Sequence, residues 1–171
     1  TTLQLLAEYK KAPDWKNAAL LEPAIYVNEM RYDALNRPVR IQTPDNSLFL
    51  PEYNEANLLN GLQVKIKGNS NPTPFITNID YNARAQREQI YYGNNTTTRY
   101  EYDRETYRLT RLITTAGNGS RILQDLSYVF DPSGNITRQL DNAQKTLFYG
   151  GQQIEAESNY YYDAIYRLIE A

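Results

Sequence analysis

The chain has 171 residues, no cysteine, no histidine and a formal net charge of −2 at pH 7. This composition excludes disulfides, Ser-His-Asp or Cys-His nucleophilic systems within the chain, and the usual ligands of zinc and copper. The charges are interspersed without the basic stripe of a nucleic-acid binder, and no apolar run approaches the roughly 20 residues of a membrane-spanning helix. No cofactor or metal site is predicted. Because it lacks an initial methionine and stops within a strand pattern, we expect a piece of a longer protein.

Residues 1–24 differ from the rest of the chain. Leu3, Leu6 and Ala7 have helical spacing, Pro13 interrupts that pattern, and Pro23 ends a second short helix. This pattern predicts a helical segment over 1–24 that packs on the rest of the protein. A docking helix for a partner is the alternative.

From residue 25 onward, strand patterns dominate. Leu62 and Val64 alternate into a Gly-Asn-Ser-Asn-Pro turn at 68–72, and Ile79 and Tyr81 belong to the run that alternates out of it. Residues 54–60 are compatible with either a helical turn or a loop. Similar strand–turn–strand patterns recur to the end. The sequence therefore predicts a mostly β fold, with one extended antiparallel sheet over 25–171.

An aromatic residue followed by Asp or Asn recurs along this region at intervals of about 21 to 32 residues, a period typical of stacked repeats. The aromatic ends a strand, the Asp or Asn forms a turn with its own backbone, and an arginine opens the returning strand in most copies. Each unit is thus predicted to be a β-hairpin. The units start near Tyr32, Tyr53, Tyr81, Tyr102, Phe130 and Tyr162, and the predicted structural residues are Tyr32, Asp33, Arg37, Tyr81, Asn82, Arg87, Tyr102, Asp103, Arg108, Phe130, Asp131, Tyr162, Asp163 and Arg167.

The Tyr-Asp-x-x-x-Arg pattern at Tyr32, its repetition, and the 16 tyrosines resemble the YD or Rhs (rearrangement hotspot) repeats of bacterial polymorphic toxins and teneurins. The stretches that begin at Tyr32, Tyr81 and Tyr160 look like the repeat region of the insecticidal toxin complex B component (TcaC/TcdB type). The resemblance covers about residues 28–171. Asn135 replaces the arginine of the fifth unit, and the Tyr53 unit has none.

The resemblance implies a structural, non-enzymatic function. In such toxins, repeats of the B and C components spiral into a hollow shell that encloses a toxic domain until delivery. The implied partners are neighbouring repeats of the parent chain and a C-component-like protein with its enclosed toxic domain, and the implied location is secreted or extracellular. No nucleic-acid partner is expected.

Two alternatives remain open at the level of sequence. A tyrosine-rich sheet could bind carbohydrate or a cell-surface partner through stacked aromatic rings. Two of the repeated aspartates could instead act as the carboxylate pair of a glycosidase. The repeated arginines could line a site for an acidic ligand, or pair with turn aspartates and stack on neighbouring tyrosines.

Overall fold

The computed structural model describes residues 25–117 and 119–171, and the helical segment predicted over 1–24 lies outside them. The described residues form fifteen β-strands and a short 3-10 helix at Ile66–Gly68. The strands are β1 (Glu29–Tyr32), β2 (Pro38–Gln42), β3 (Leu48–Tyr53), β4 (Leu59–Lys65), β5 (Thr73–Tyr81), β6 (Arg87–Tyr92), β7 (Thr96–Tyr102), β8 (Leu109–Ala116), β9 (Arg121–Phe130), β10 (Ile136–Asp141), β11 (Leu147–Tyr149), β12 (Gln152–Ile154), β13 (Glu157–Asn159), β14 (Tyr161–Tyr162) and β15 (Leu168–Glu170).

The main sheet has 11 strands, ordered β1 to β10 followed by β13. All ten neighbouring pairs of this sheet are antiparallel, so consecutive turns fall alternately at the two ends of the strands. Two small antiparallel pairs, β11 with β12 and β14 with β15, lie outside the main ladder. The prediction of an extended antiparallel sheet is confirmed.

The turns after β1, β3, β5, β7 and β9 share one end of the sheet, which we call the turn edge. They are the first (33–37), second (54–58), third (82–86), fourth (103–108) and fifth (131–135) turns, and residues 54–58 form a tight turn with no helix. A sixth turn (163–167) joins β14 to β15. The strand that precedes it continues alongside β10, because the Tyr160 amide donates to the Thr137 carbonyl at 2.9 Å.

The two faces of the sheet differ in polarity. One cross-strand row runs from Ile79 through Ile90 to Thr98, and all three residues are buried. The adjacent row, on the opposite face, starts with Asp80 and Gln89 and is polar. Among the described residues, the buried hydrophobic side chains are Val64, Ile79 and Ile90. The sheet is therefore a thin layer with a small internal core.

Candidate functional site

In every turn at the turn edge, the first residue accepts hydrogen bonds from amides of its own turn, and the first three turns share one pattern. In the first turn, Asp33 Oδ1 accepts from the amides of Leu35 and Arg37 at 2.9 and 3.0 Å. Asn54 and Asn82 do the same in the second and third turns, so an amide oxygen replaces a carboxylate oxygen without loss of these bonds. The next-to-last residue of each turn has positive φ, as at Asn36 (60°). Asn and Gly suit this conformation, whereas Ala85, Tyr107 and Tyr166 adopt it with an ordinary side chain.

In four of the units, the aromatic residue before the turn ties its unit to the preceding one. Tyr81 Oη donates to the Leu59 carbonyl at 2.6 Å, and Leu59 is the first residue after the second turn. The equivalent bonds join Tyr53 to Pro38, Tyr102 to Arg87, and Tyr162 to Ile136, at 2.9 to 3.0 Å. These hydroxyls satisfy carbonyl groups at the ends of neighbouring strands while their rings are half-buried. Phe130, which has no hydroxyl, interrupts the series.

The last residue of a turn also reaches toward the following turn. Arg37 pairs with Asp33 in its own turn and donates from Nη1 to Asn57 Oδ1 at 2.8 Å. Its guanidinium also lies 4.6 Å from the centre of the Tyr53 ring. Arg108 Nη1 and Nη2 donate to the carbonyls of Asp131 and Pro132 at 2.8 and 3.0 Å. These arginines link neighbouring repeats along the turn edge.

Aligning the turns by their backbone bonds shows that Gln86, and not Arg87, is the structural counterpart of Arg37. The Asn82 amide donates to the Gln86 carbonyl, and Gln86 Nε2 reaches the Tyr107 carbonyl at 2.8 Å. Arg87 lies one residue further, at the start of β6, where its carbonyl accepts from Tyr102. Counting residues from the aromatic does not settle the register, because the fourth turn is one residue longer and places Arg108 six residues after Tyr102. Arg167 pairs with Asp163 at 2.7 Å, as Arg37 does with Asp33.

The structure spreads the predicted residues along one edge instead of bringing them together. Each belongs to its own turn, and its contacts lie within that turn or with the adjacent unit. Sequence reasoning missed Gln86, and it also missed two ion pairs on the polar face. Arg111 pairs with the buried Asp125 at 2.7 Å, and Arg138 contacts Glu157.

The aspartates at the turn edge and in the sixth turn have lowered pKa values, which keep their side chains ionised at neutral pH. Hydrogen bonds from the Arg37 backbone and side chain lower the pKa of Asp33, and Arg167 has the same effect on the pKa of Asp163. Donors from Thr106 lower the pKa of Asp103, and the Asn135 side chain lowers that of Asp131. A general acid at neutral pH needs a raised pKa. These aspartates therefore fit a structural role better than the acid role of a glycosidase pair.

The more apolar face carries a shallow trough of about 390 Å³. It is lined by Tyr92, Thr96, Tyr100 and Gln124, among others. Burial raises the pKa of Tyr100, as it does for Tyr102 and Tyr128, so these phenols stay protonated at neutral pH. The trough combines ring faces with neutral hydrogen-bonding groups.

Within the described residues, no group of acidic side chains is arranged to hold a metal ion. In the same part of the chain, no helix has the length and apolar character needed to cross a membrane.

The extended antiparallel sheet and its repeated aromatic–Asp/Asn turns have the architecture expected of YD/Rhs repeats. No protein-family model matches the sequence. The chain is homologous to the toxin subunit YenC1 of Yersinia entomophaga, with 32% identity over 170 residues that cover 93% of this chain and 17% of the relative. The chain thus spans about a sixth of that relative's length.

Solved structures of toxin complexes contain the same fold. A chain in the Photorhabdus luminescens Tc holotoxin pore is 29% identical, with a TM-score of 0.69 over 93% of this chain and 7% of that one. A chain in the TcdB2–TccC3 complex is 30% identical to this chain, with a TM-score of 0.69. The match covers 88% of this chain and 7% of that one. These similarities support assignment of this chain as a toxin-complex component.

Proposed function

We propose that this chain is a segment of the wall of an Rhs-repeat shell, which encloses the toxic domain of a bacterial toxin complex before delivery. Its role is structural and not enzymatic. The partners are the adjoining repeats of the parent chain and a C-component-like protein with its enclosed domain. The assembled complex is secreted. Homology to a toxin subunit supports this proposal.

The observation that carries the proposal is the way each repeat is tied to the next. Tyr53, Tyr81, Tyr102 and Tyr162 each bond to the preceding unit, so identical contacts extend along the sheet. Such nearest-neighbour bonding suits an extended wall, whose stability depends on stacking successive units. A catalyst would instead concentrate its polar groups at one place.

The test is electron microscopy of the parent protein, produced together with its adjacent partner chain. We expect hollow particles with density trapped inside and with β1 to β10 in the wall. Solid or elongated particles would contradict the proposal.

A protease-protection assay on the same complex adds a matched comparison. Replacing Gly93 by Ala places a Cβ atom 1.8 Å from the Pro74 carbonyl oxygen, whereas the same change at Gly61 gives an ordinary contact of 3.4 Å with Glu52. We expect the enclosed domain to resist protease in the wild type and in Gly61→Ala, and to be digested in Gly93→Ala. If the toxic domain in all three complexes were digested as fast as the isolated toxic domain, enclosure would be excluded.

The trough at Tyr92 and Tyr100 supports carbohydrate binding as a second candidate function, because sugars stack on aromatic rings. Glycan-array binding by the 171-residue chain tests it. A true site loses binding in Tyr100→Ala and keeps it in Tyr32→Ala, since Tyr32 lies outside the trough. Equal loss in both variants, or no binding by the wild type, would exclude this function.

A further inference from the structure

A groove of about 500 Å³ separates the second and third turns at the turn edge. Turn residues from both sides line it, including Asn54, Leu58, Ala83 and Ala85. Asp80, at the end of β5, contributes an exposed acidic residue to the same lining. The groove is thus bounded by backbone, small apolar groups and one carboxylate.

Elsewhere along this edge, a side chain bridges each turn to the next. Arg37 bonds to Asn57, and Gln86 bonds to the Tyr107 carbonyl. Arg108 bonds to the carbonyls of Asp131 and Pro132, using both terminal nitrogens. The fifth and sixth turns are joined by a hydroxyl contact of 3.3 Å between Ser133 and Tyr166.

The second and third turns lack such a bridge among the described residues. Leu58 occupies the position of Arg37 and Arg108, and its side chain has no donor. The carbonyls of Ala83 and Ala85 are the counterparts of those of Pro132 and Tyr107, which accept side-chain bonds. No described side chain donates to either alanine carbonyl.

The charge around the groove favours a cation. Asp80 lines it, with Oδ1 accepting from Asn78 Nδ2 at 2.8 Å. The basic side chain of the third turn points elsewhere, because the Arg84 guanidinium lies 3.4 Å from the centre of the Tyr107 ring. A planar guanidinium can donate to two carbonyl oxygens at once, as Arg108 of the fourth turn does with Asp131 and Pro132 of the fifth, whereas an ammonium acts as a compact point charge.

We propose that this groove is a binding site for an arginine side chain supplied by a partner polypeptide. The guanidinium donates to the Ala83 and Ala85 carbonyls and faces Asp80, while its methylene groups pack on Leu58. The inserted arginine completes the series of bridges that the chain's own side chains make elsewhere. This interaction does not depend on whether the wall encloses a toxic domain.

The experiment is an NMR titration of the 171-residue chain with the capped tripeptide acetyl-Gly-Arg-Gly-amide. We expect saturable shifts of the Ala83 and Ala85 amide signals, with the lysine tripeptide binding about tenfold more weakly because it cannot form the paired hydrogen bonds. Equal binding of the two peptides, or shifts distributed over the whole sheet, would overturn the proposal.

Two variants locate the site. Leu58→Arg supplies the guanidinium from within the chain, so it should raise the unfolding midpoint and weaken peptide binding by about tenfold. Leu58→Met keeps an apolar side chain of similar volume and should bind the arginine tripeptide as the wild type does. If Leu58→Arg fails to fold, Asp80→Asn replaces it, and about threefold weaker arginine binding is expected. Wild-type affinity in folded Leu58→Arg or in Asp80→Asn would overturn the assignment.

Discussion

At the scale of single residues, the tyrosine hydroxyl matters as much as the ring. The ring is half-buried on the sheet, and the hydroxyl satisfies a carbonyl of the preceding unit, as in the bond between Tyr81 and Leu59. Four of the 16 tyrosines have this double role: Tyr53, Tyr81, Tyr102 and Tyr162. The double role makes the exchange of one aromatic for the other an informative substitution.

Tyr81→Phe should lower the free energy of unfolding by about 1 kcal/mol, because the change removes one hydrogen bond and leaves a half-buried carbonyl unpaired. Phe130→Tyr should raise it by about 0.5 to 1 kcal/mol by supplying the missing hydroxyl to the fifth unit. Urea unfolding measures both effects.

Tyr32→Phe serves as the control, because the one hydrogen bond of the Tyr32 hydroxyl within residues 25–117 and 119–171 is to the Met30 sulfur, at 3.4 Å. That variant should stay near wild-type stability. Equal losses in Tyr32→Phe and Tyr81→Phe would show that the carbonyl bond is not the stabilising interaction.

At the scale of elements, side-chain acceptors stabilise turns at both ends of the sheet. Asp33 and Asn54 accept from turn amides at the turn edge, and Asn94 accepts from the Thr96 amide in the turn after β6. The turn after β6 also has a steric requirement, because the Gly93 amide donates to the Phe75 carbonyl at 3.2 Å and its α-carbon faces the Pro74 backbone. A larger residue at Gly93 is therefore a sensitive substitution.

Gly93→Ala should lower the free energy of unfolding by about 3 kcal/mol, because the added Cβ meets backbone atoms that cannot rotate away. Gly61→Ala should change it by less than about 1 kcal/mol, since that Cβ makes ordinary contacts. Thermal unfolding of both variants tests the pair. Similar midpoints would rule out the steric explanation.

Acid should destabilise the turns that use aspartate. The folded-state pKa values of Asp33 and Asp163 lie below the ordinary value of 3.8, so the unfolded chain binds protons first as the pH falls. The stabilising contribution is complete at neutral pH and is lost as the pH drops from about 5 through the folded-state pKa values. Urea unfolding at a series of pH values checks this dependence.

Asp33→Asn removes the titrating carboxylate but keeps an oxygen that accepts from the backbone amides. Asn54 and Asn82 already accept such bonds in their own turns. We expect a shallower loss of stability below pH 5 in this variant than in the wild type. An unchanged pH profile in the double variant Asp33→Asn, Asp163→Asn would contradict the assignment.

At the scale of the whole molecule, the described sheet exposes many apolar side chains. The hairpin of β11 and β12 presents Phe148 and Tyr149, which are 77% and 79% exposed. Among the described strands, β1 lies at an edge of the main sheet and pairs with β2 alone. Such edges and apolar surfaces are favourable for association with further strands or copies.

We expect the isolated chain to form concentration-dependent dimers or larger species, which sedimentation velocity over a wide dilution range would detect. Phe148→Ser should weaken association by about tenfold, because burial of one phenylalanine is worth about 1.5 to 3 kcal/mol. Phe75→Ser, at a residue that is 44% exposed on β5, is the comparison variant. A strictly monomeric chain at all concentrations would contradict the prediction.

The sequence by itself determined the repeat, the antiparallel hairpins and the turn positions. Alternation along β4 and β5 and the aromatic–Asp/Asn pairs are local signals, and local backbone preferences suffice to place such turns. It also identified the resemblance to toxin repeats. The contacts of Tyr81 and Arg108 with adjacent units could not be predicted, because they depend on which strands lie side by side.

Only the tertiary structure decided the register of the repeats and the functional candidates that follow from it. The exchange of Arg87 for Gln86 as the bridging residue depends on a shift of one residue in the returning strand, which alternates side chains between the two faces. The groove at Leu58 likewise exists only because two distant turns are neighbours in the sheet. The repeat units can be recognised from residue spacing in the sequence, whereas the groove between two units depends on how they pack in the folded sheet.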